Sequence, residues 1–408
     1  MSHTIIFTTN TLSTKALITK LIEDKNVLEP EVFQGLQGDA LTKSKIEALI
    51  FEEEVHDIKT ATKNTSQSLK SMSSGEQRKV VLEHLLNSNL DYLVLDNPFD
   101  NLDHESIADL KQSIEKNASK IIFIIVLSRK SDALDFITTR FQLLDNGSLA
   151  LIDNSNKSNP EIHFTKEIPK PIKSIHCEGD SLINFKNIEV SFDEKLILNN
   201  INWEIKKNSF WQLIGKNGSG KTTLLSLITG ENNKGYGQEL YLFGKKKGTG
   251  ETIWDIKQKI GYYTPTLTHN FKRTDTVKNM LISGLNDSIG LYKIPTENQL
   301  LLAKEWLEAL NMEHLAEKVF IELPVGQQRL IMIGRAMIKH PLVLILDEPT
   351  ENLDDDSAAL FVALTNKIAS ETTTAIIFVS HREEVGLNPK NKFELIKTTN
   401  GSIGTITK

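Results

Sequence analysis

Two acidic turns, "LVLDNPFDNLD" at residues 93–103 and "LILDEPTENLD" at 344–354, constrain this chain more than anything else in it. The separation of 251 residues between Asp96 and Asp347 also relates Gly75 in "SSGEQR" to Gly326 in "PVGQQR". A third pair, "FIIVLSR" (123–129) and "AIIFVSH" (375–381), matches at 252, after one inserted residue. A spacing shared by three motifs marks a tandem duplication. Whatever one copy folds into, the other must approximate.

Each copy carries short continuous apolar runs, "YLVLD" and "IIFIIVL" in the first, "LVLILD" and "AIIFVS" in the second, separated by helical patterns. Runs of that length suit parallel strands buried on both faces and joined by crossover helices, so the expected fold class is α/β. A chain of 408 residues has room for two such domains. We place them at 1–151 and 181–408. Between them, 152–180 reads as a linker from its three prolines and many polar residues, and would reach about 80 Å if extended.

The net charge of −6 gives no general reason to expect nucleic-acid binding. Cys177 stands alone, which excludes an internal disulfide and points to a reducing cytoplasm. The apolar runs are far shorter than a membrane span, and "MSHTIIFTTN" does not read as a signal peptide. A place in the cytoplasm is expected, with any membrane role, at the inner face, coming through a partner.

"GKNGSGKTT", Gly215–Thr223, follows the apolar "FWQLI" and opens a helical pattern. Glycines let backbone N–H groups turn inward around phosphate oxygens, and a helix N-terminus adds a favourable dipole. Gly215, Asn217, Gly218, Ser219, Gly220, Lys221, Thr222 and Thr223 are thus the candidate phosphate-binding residues. Lys221 is expected to reach the outer phosphates and Thr222 to coordinate Mg²⁺. Asp347 and Glu348 close a strand of the same copy. Asp347 suits a Mg²⁺-side carboxylate acting through water, and Glu348 the base that polarises an attacking water. A glycine-rich turn and two solvated acids would be the bland reading of the same residues, but it does not account for their occurring together.

With these motifs in this order, the chain resembles the ATP-binding-cassette family, and the resemblance covers nearly its whole length. "SSGEQR" and "PVGQQR" look like signature motifs, and His381 in "VSH" like the switch histidine that contacts the γ-phosphate. Phe192 in "VSFDEK" occupies the place of the aromatic that stacks on adenine; a core or edge phenylalanine is the alternative. A closer resemblance is to the ModF-type group of tandem cytoplasmic ATPases, associated with molybdenum transport and also called photorepair proteins. Residues 242–263, 276–284 and 286–292 carry it.

The family resemblance implies that two cassettes sandwich ATP head to tail, each site taking its signature from the other copy. The site on the second phosphate loop is then complete: Lys221, Asp347, Glu348 and His381 face the first copy's Ser73 and Gly75. Ser73 supplies a hydroxyl donor, and Gly75 permits close backbone approach. The other site holds Asn97, Arg129 and Pro324 at the base, switch and signature-serine positions. Its phosphate loop survives only as "TTNTLSTKALITKLI" (8–22), without glycine, where Lys15 aligns with Lys221; an unrelated strand and helix is the alternative. Too few residues precede it for an adenine-stacking strand. The first copy is also shorter, with 60 residues from Lys15 to Gly75 against 105 from Lys221 to Gly326.

The expected activity is hydrolysis of one ATP per chain, with Mg²⁺, driving a membrane permease by family resemblance to molybdate or metal import. The alternatives are a cassette ATPase acting on nucleic acid or the ribosome, and a slow nucleotide sensor. The second reading loses ground because 152–180 is no long basic arm. One departure bears on the first: Pro265 stands where the family usually carries a glutamine that touches Mg²⁺, leaving Thr264, Thr266 or His269 as substitutes.

Overall fold

In a computed structural model the apolar runs become the inner strands of two sheets. The structure describes residues 3–10, 12–24, 35–63, 65, 67–152, 164–269, 271, 274–381 and 384–407. The chain forms two compact units, Met1–Pro160 with Asn352–Asp355, and Glu161–Glu351 with Asp356–Lys408.

The first unit is built on β1 (Thr4–Phe7), β2 (Gly38–Leu41), β3 (Tyr92–Asp96), β4 (Ile122–Leu127), β5 (Thr139–Leu143) and β6 (Leu149–Leu151), in the sheet order β2-β3-β4-β1-β5-β6. Alternate residues face opposite ways along a strand, and here both faces are covered. Leu93, Leu95, Phe123 and Ile125 enter one core, and Tyr92, Val94, Ile122 and Ile124 another. That is why these strands read as continuous apolar runs.

Among the described residues the second unit has ten strands: β7 (Ser181–Phe192), β8 (Lys195–Lys206), β9 (Phe210–Gly215), β10 (Glu239–Leu242), β11 (Lys245–Lys246), β12 (Ile260–Tyr263), β13 (Val343–Asp347), β14 (Ala375–Val379), β15 (Asn391–Thr398) and β16 (Gly401–Thr407). Their order, β11-β10-β7-β8-β16-β15-β9-β14-β13-β12, contains the first sheet's pattern with β12-β13-β14-β9-β15-β16 in place of β2-β3-β4-β1-β5-β6. Among the described residues the antiparallel strands β7, β8, β10 and β11 have no counterpart in the first sheet. One core packs Trp203 between Phe185 and Phe393 with Trp211 edge-on. The other gathers Tyr263, Trp306, Phe320, Phe361 and Phe378 beneath the helices.

The duplication extends to backbone conformation. Asn97 and Glu348, 251 residues apart, both lie in the left-handed region, at φ 42° and 51°; Asn101 and Asn352 repeat this at 61° and 57°. The helices that follow Ser73 and Pro324 differ at their first turn. Ser73 caps Ser74–Leu86 in a reciprocal capping box with Glu76, whereas Pro324 precedes Val325–Met337 with no side-chain cap.

The expected linker, 152–180, is only partly free of packing. Ile168 is buried in the second unit's core, and its N–H donates to the Glu371 carboxylate at 2.8 Å. The Pro169 carbonyl accepts a hydrogen bond from His340. Residues 164–180 have no strand or helix, and Ile168 packs them against the second unit. Residues 153–163 lie outside the described ones.

Candidate active site

β9 ends at Gly215, a five-residue turn follows, and the helix Lys221–Ile228 begins. Gly218 and Gly220 take left-handed φ values of 71° and 92°. A Cβ on Gly220 would also meet Leu198 Cδ2 at 2.8 Å, so only glycine satisfies that position. Ser219 is fully buried, and its Oγ has no hydrogen-bond partner among the described residues. The buried Lys221 Nζ donates to the carbonyls of Gly215 (2.7 Å) and Lys216 (3.2 Å) and lies 3.2 Å from His381 Nδ1. Asn217 and Thr223 are half-buried, while Thr222 is exposed.

Glu348 follows β13, and its N–H donates to the Val379 carbonyl of neighbouring β14 at 3.1 Å. Its carboxylate pairs with His381 Nε2. A lysine ammonium only donates, so His381 Nδ1 accepts from Lys221, and the ring's proton on Nε2 is directed at Glu348. Burial raises the Glu348 carboxyl, but the hydrogen bond from His381, with the Lys221 charge behind it, holds it below the ordinary glutamate range. Asp347 goes the other way. Burial and then the neighbouring Glu348 push it up to about 6, against the pull of Tyr262, Lys221 and His381. Behind the histidine, Gln212 Nε2 donates to the buried Ser380 Oγ at 2.9 Å.

The donor set suits Mg²⁺: the Thr222 hydroxyl and the Asp347 carboxylate are hard oxygens of the kind that ion takes. Asp347 and Glu348 also crowd two half-buried carboxyls together, an electrostatic cost that a divalent cation relieves. No cluster of three or more His, Cys, Asp or Glu side chains suited to another metal occurs among the described residues.

The remaining expected residues lie elsewhere. Phe192 ends β7, 43% exposed and with Lys234 Nζ 5.9 Å from its ring centroid, so it is no core residue. Ser73 and Gly75 belong to the first unit, where the Ser73 hydroxyl is engaged with Glu76 at 2.8 Å. Pro265 opens a short helix, Pro265–His269, and the hydroxyls of Thr264 and Thr266 lie 3.3 Å apart. The His269 side chain lies outside the described residues.

In the first unit, β1 and the helix Thr14–Thr19 hold the places of β9 and Lys221–Ile228. Asn97 Oδ1 accepts from the Ser128 N–H at 2.8 Å, and Thr14 Oγ1 donates to Asp96 at 3.3 Å.

Several participants escaped the sequence reading. Tyr262 donates its hydroxyl to Asp347 at 3.1 Å, a contact that depends on strand pairing between residues 85 apart in the chain. Arg329 donates to the Pro349 carbonyl at 2.7 Å, and its counterpart Arg78 to those of Asn97 (2.8 Å) and Asp100 (2.7 Å). Both arginines pin the acidic turn of their own copy. Their signal was in view, since each ends its signature motif at the shared spacing.

The family described as ABC transporter matches residues 198–351. The chain is 36% identical over 331 residues to the ABC transporter ATP-binding protein ModF of Escherichia coli, an alignment covering 77% of this chain and 67% of that one. It is 30% identical over 326 residues to an uncharacterized ABC transporter ATP-binding protein of Schizosaccharomyces pombe, covering 78% and 66%. The chain therefore spans about two thirds of the length of these relatives. In fold alone it is similar to an archaeal ribosome recycling factor, aABCE1, with a TM-score of 0.63 and 14% identity over 99% of this chain and 85% of that one.

Proposed function

Because the chain belongs to the ATP-binding-cassette family of ATPases, we propose that it hydrolyses ATP at one site, built on the second unit's phosphate loop. The observation that carries this reading is the state of Glu348. It is an ionised carboxylate held against His381 and Lys221, whereas its counterpart Asn97 is an amide tied to the Ser128 backbone.

The backbone N–H groups of the turn and the first turn of Lys221–Ile228 would bind the phosphates. Lys221 would exchange its loop carbonyls for phosphate oxygens, and Phe192 would offer its exposed face to adenine. Thr222 and Asp347 would hold Mg²⁺, the latter through water, and the ion would neutralise charge developing on the phosphates. Glu348 orients and polarises the attacking water, and His381, anchored at both ring nitrogens, reports the γ-phosphate. We assign Ser73 and Gly75 to the same reaction, as the signature supplied by the first copy when the cassettes close on ATP.

The partner we propose is a membrane permease, on the strength of the likeness to ModF and other transporter ATP-binding proteins. No helix among the described residues is long and apolar enough to cross a membrane. A second reading, work on nucleic acid or the ribosome, draws on Pro265 standing where a transport-coupled glutamine is usual. Steady-state ATPase assays test the core of the proposal: Glu348→Gln should lose about 10²-fold or more. Equal rates for the two proteins would refute it. Affinity capture with ATP-trapped Glu348→Gln protein then separates permease from ribosome.

A further inference from the structure

Asp347 is positioned by one neighbour in particular. β12 and β13 run parallel with Tyr262 paired to Ile345, so Tyr262 and Ile345 point to the same side of the sheet. Asp347, two residues beyond Ile345, points there too. A tyrosine leaning along its strand reaches it, and its hydroxyl donates to Asp347 Oδ2 at 3.1 Å. We propose that Tyr262 is a positioning residue of the ATP site, fixing the Asp347 carboxylate for its Mg²⁺-side role in a chain that lacks the usual glutamine. This inference rests on the reading of the site given above.

The duplication supplies an internal control. In the first sheet the corresponding pairing is Ala40 to Val94, so the position equivalent to Tyr262 carries no hydroxyl. Asp96 there takes a hydrogen bond from Thr14, on a different element. The tyrosine hydroxyl thus occurs in the copy that has Glu348 and His381, and is missing from the copy that has Asn97 and Arg129. A residue needed only to fill the sheet face would have no reason to follow that division. Orientation by hydrogen bonds from outside the ligand shell tunes metal affinity, typically by 10–100-fold for direct ligands. A carboxylate acting through water should feel less.

The test measures binding of a fluorescent ATP analogue to the full chain carrying Glu348→Gln, with Mg²⁺ titrated from zero. Adding Tyr262→Phe should raise the Mg²⁺ concentration at half-maximal response about 3–10-fold, leaving binding in EDTA unchanged. Asp347→Asn should abolish the difference between Tyr and Phe. Tyr262→His, which brings a ring N–H donor, should recover part of the response, independently of any packing defect in the Phe variant. An unchanged Mg²⁺ midpoint, an equal loss in EDTA, or a difference that survives Asp347→Asn would overturn the role of Tyr262 alone. Absence of Mg²⁺-dependent nucleotide binding with Tyr262 in place would overturn the site itself, and this inference with it.

Discussion

His381 Nε2 donates to the Glu348 carboxylate at the carboxyl ends of adjacent strands, with the imidazole's other nitrogen 3.2 Å from Lys221. One ring therefore links the proposed phosphate loop to the proposed base, and its loss should be felt in two ways. His381→Ala should lower turnover about 10–100-fold. It should also release Glu348 from the contact that holds it low, leaving burial to raise it. Activity that needs ionised Glu348 is lost as pH falls through its pKa, so the acid limb of the pH–rate profile should move to higher pH. An acid limb unmoved in His381→Ala would contradict this coupling.

Asp347 should cost stability in the protein without nucleotide. Its carboxyl is raised to about 6, from an ordinary value of 3.8, so the native state ionises it less readily than the unfolded chain does. The penalty is full above about pH 6 and fades as pH falls towards 4, where both states become protonated. Asp347→Asn should stabilise the apoprotein at pH 7.5 by on the order of 2 kcal/mol, with the gain shrinking below pH 6 in denaturant titrations.

Glu348 sits at φ 51°, a conformation that asparagine tolerates better than glutamate or glutamine. Glu348→Asn and Glu348→Gln should both abolish turnover. Asn, however, should leave the protein about 1 kcal/mol more stable than Gln does. The reciprocal change in the first copy, Asn97→Ala, removes the acceptor for the Ser128 N–H and should cost about 1–2 kcal/mol. Turnover should nonetheless stay within about twofold, since Asn97 has no part in the proposed reaction.

Ser73 has a structural duty that must be separated from its proposed catalytic one. Ser73→Ala should lose the capping box, about 1 kcal/mol, along with turnover. Ser73→Asn keeps an N-cap acceptor, so stability should return while ATPase activity remains low. Recovery of both together in Ser73→Asn would assign the serine to capping alone.

Much of this was legible in residue order because the physics is local. A phosphate loop needs glycines at fixed places, and strands buried on both faces need unbroken apolar runs, as in Leu344–Leu346. Other features depend on pairing between distant segments. The Tyr262–Asp347 contact follows from register, and the left-handed turn at Glu348 is hidden because glutamate does not announce it, although Asn97 at the equivalent place does. The docking of Ile168 was masked by its neighbours. Scattered isoleucines among prolines and polar residues carry no periodicity, yet Ile168 packs into a core that is there to receive it.

Lys221 is engaged by two loop carbonyls and a histidine. ATP would therefore meet a lysine that trades partners in place, with little disorder to remove on arrival. Binding should show a modest entropic toll and fast association, and selection among phosphorylated ligands should turn on how well each replaces those carbonyls.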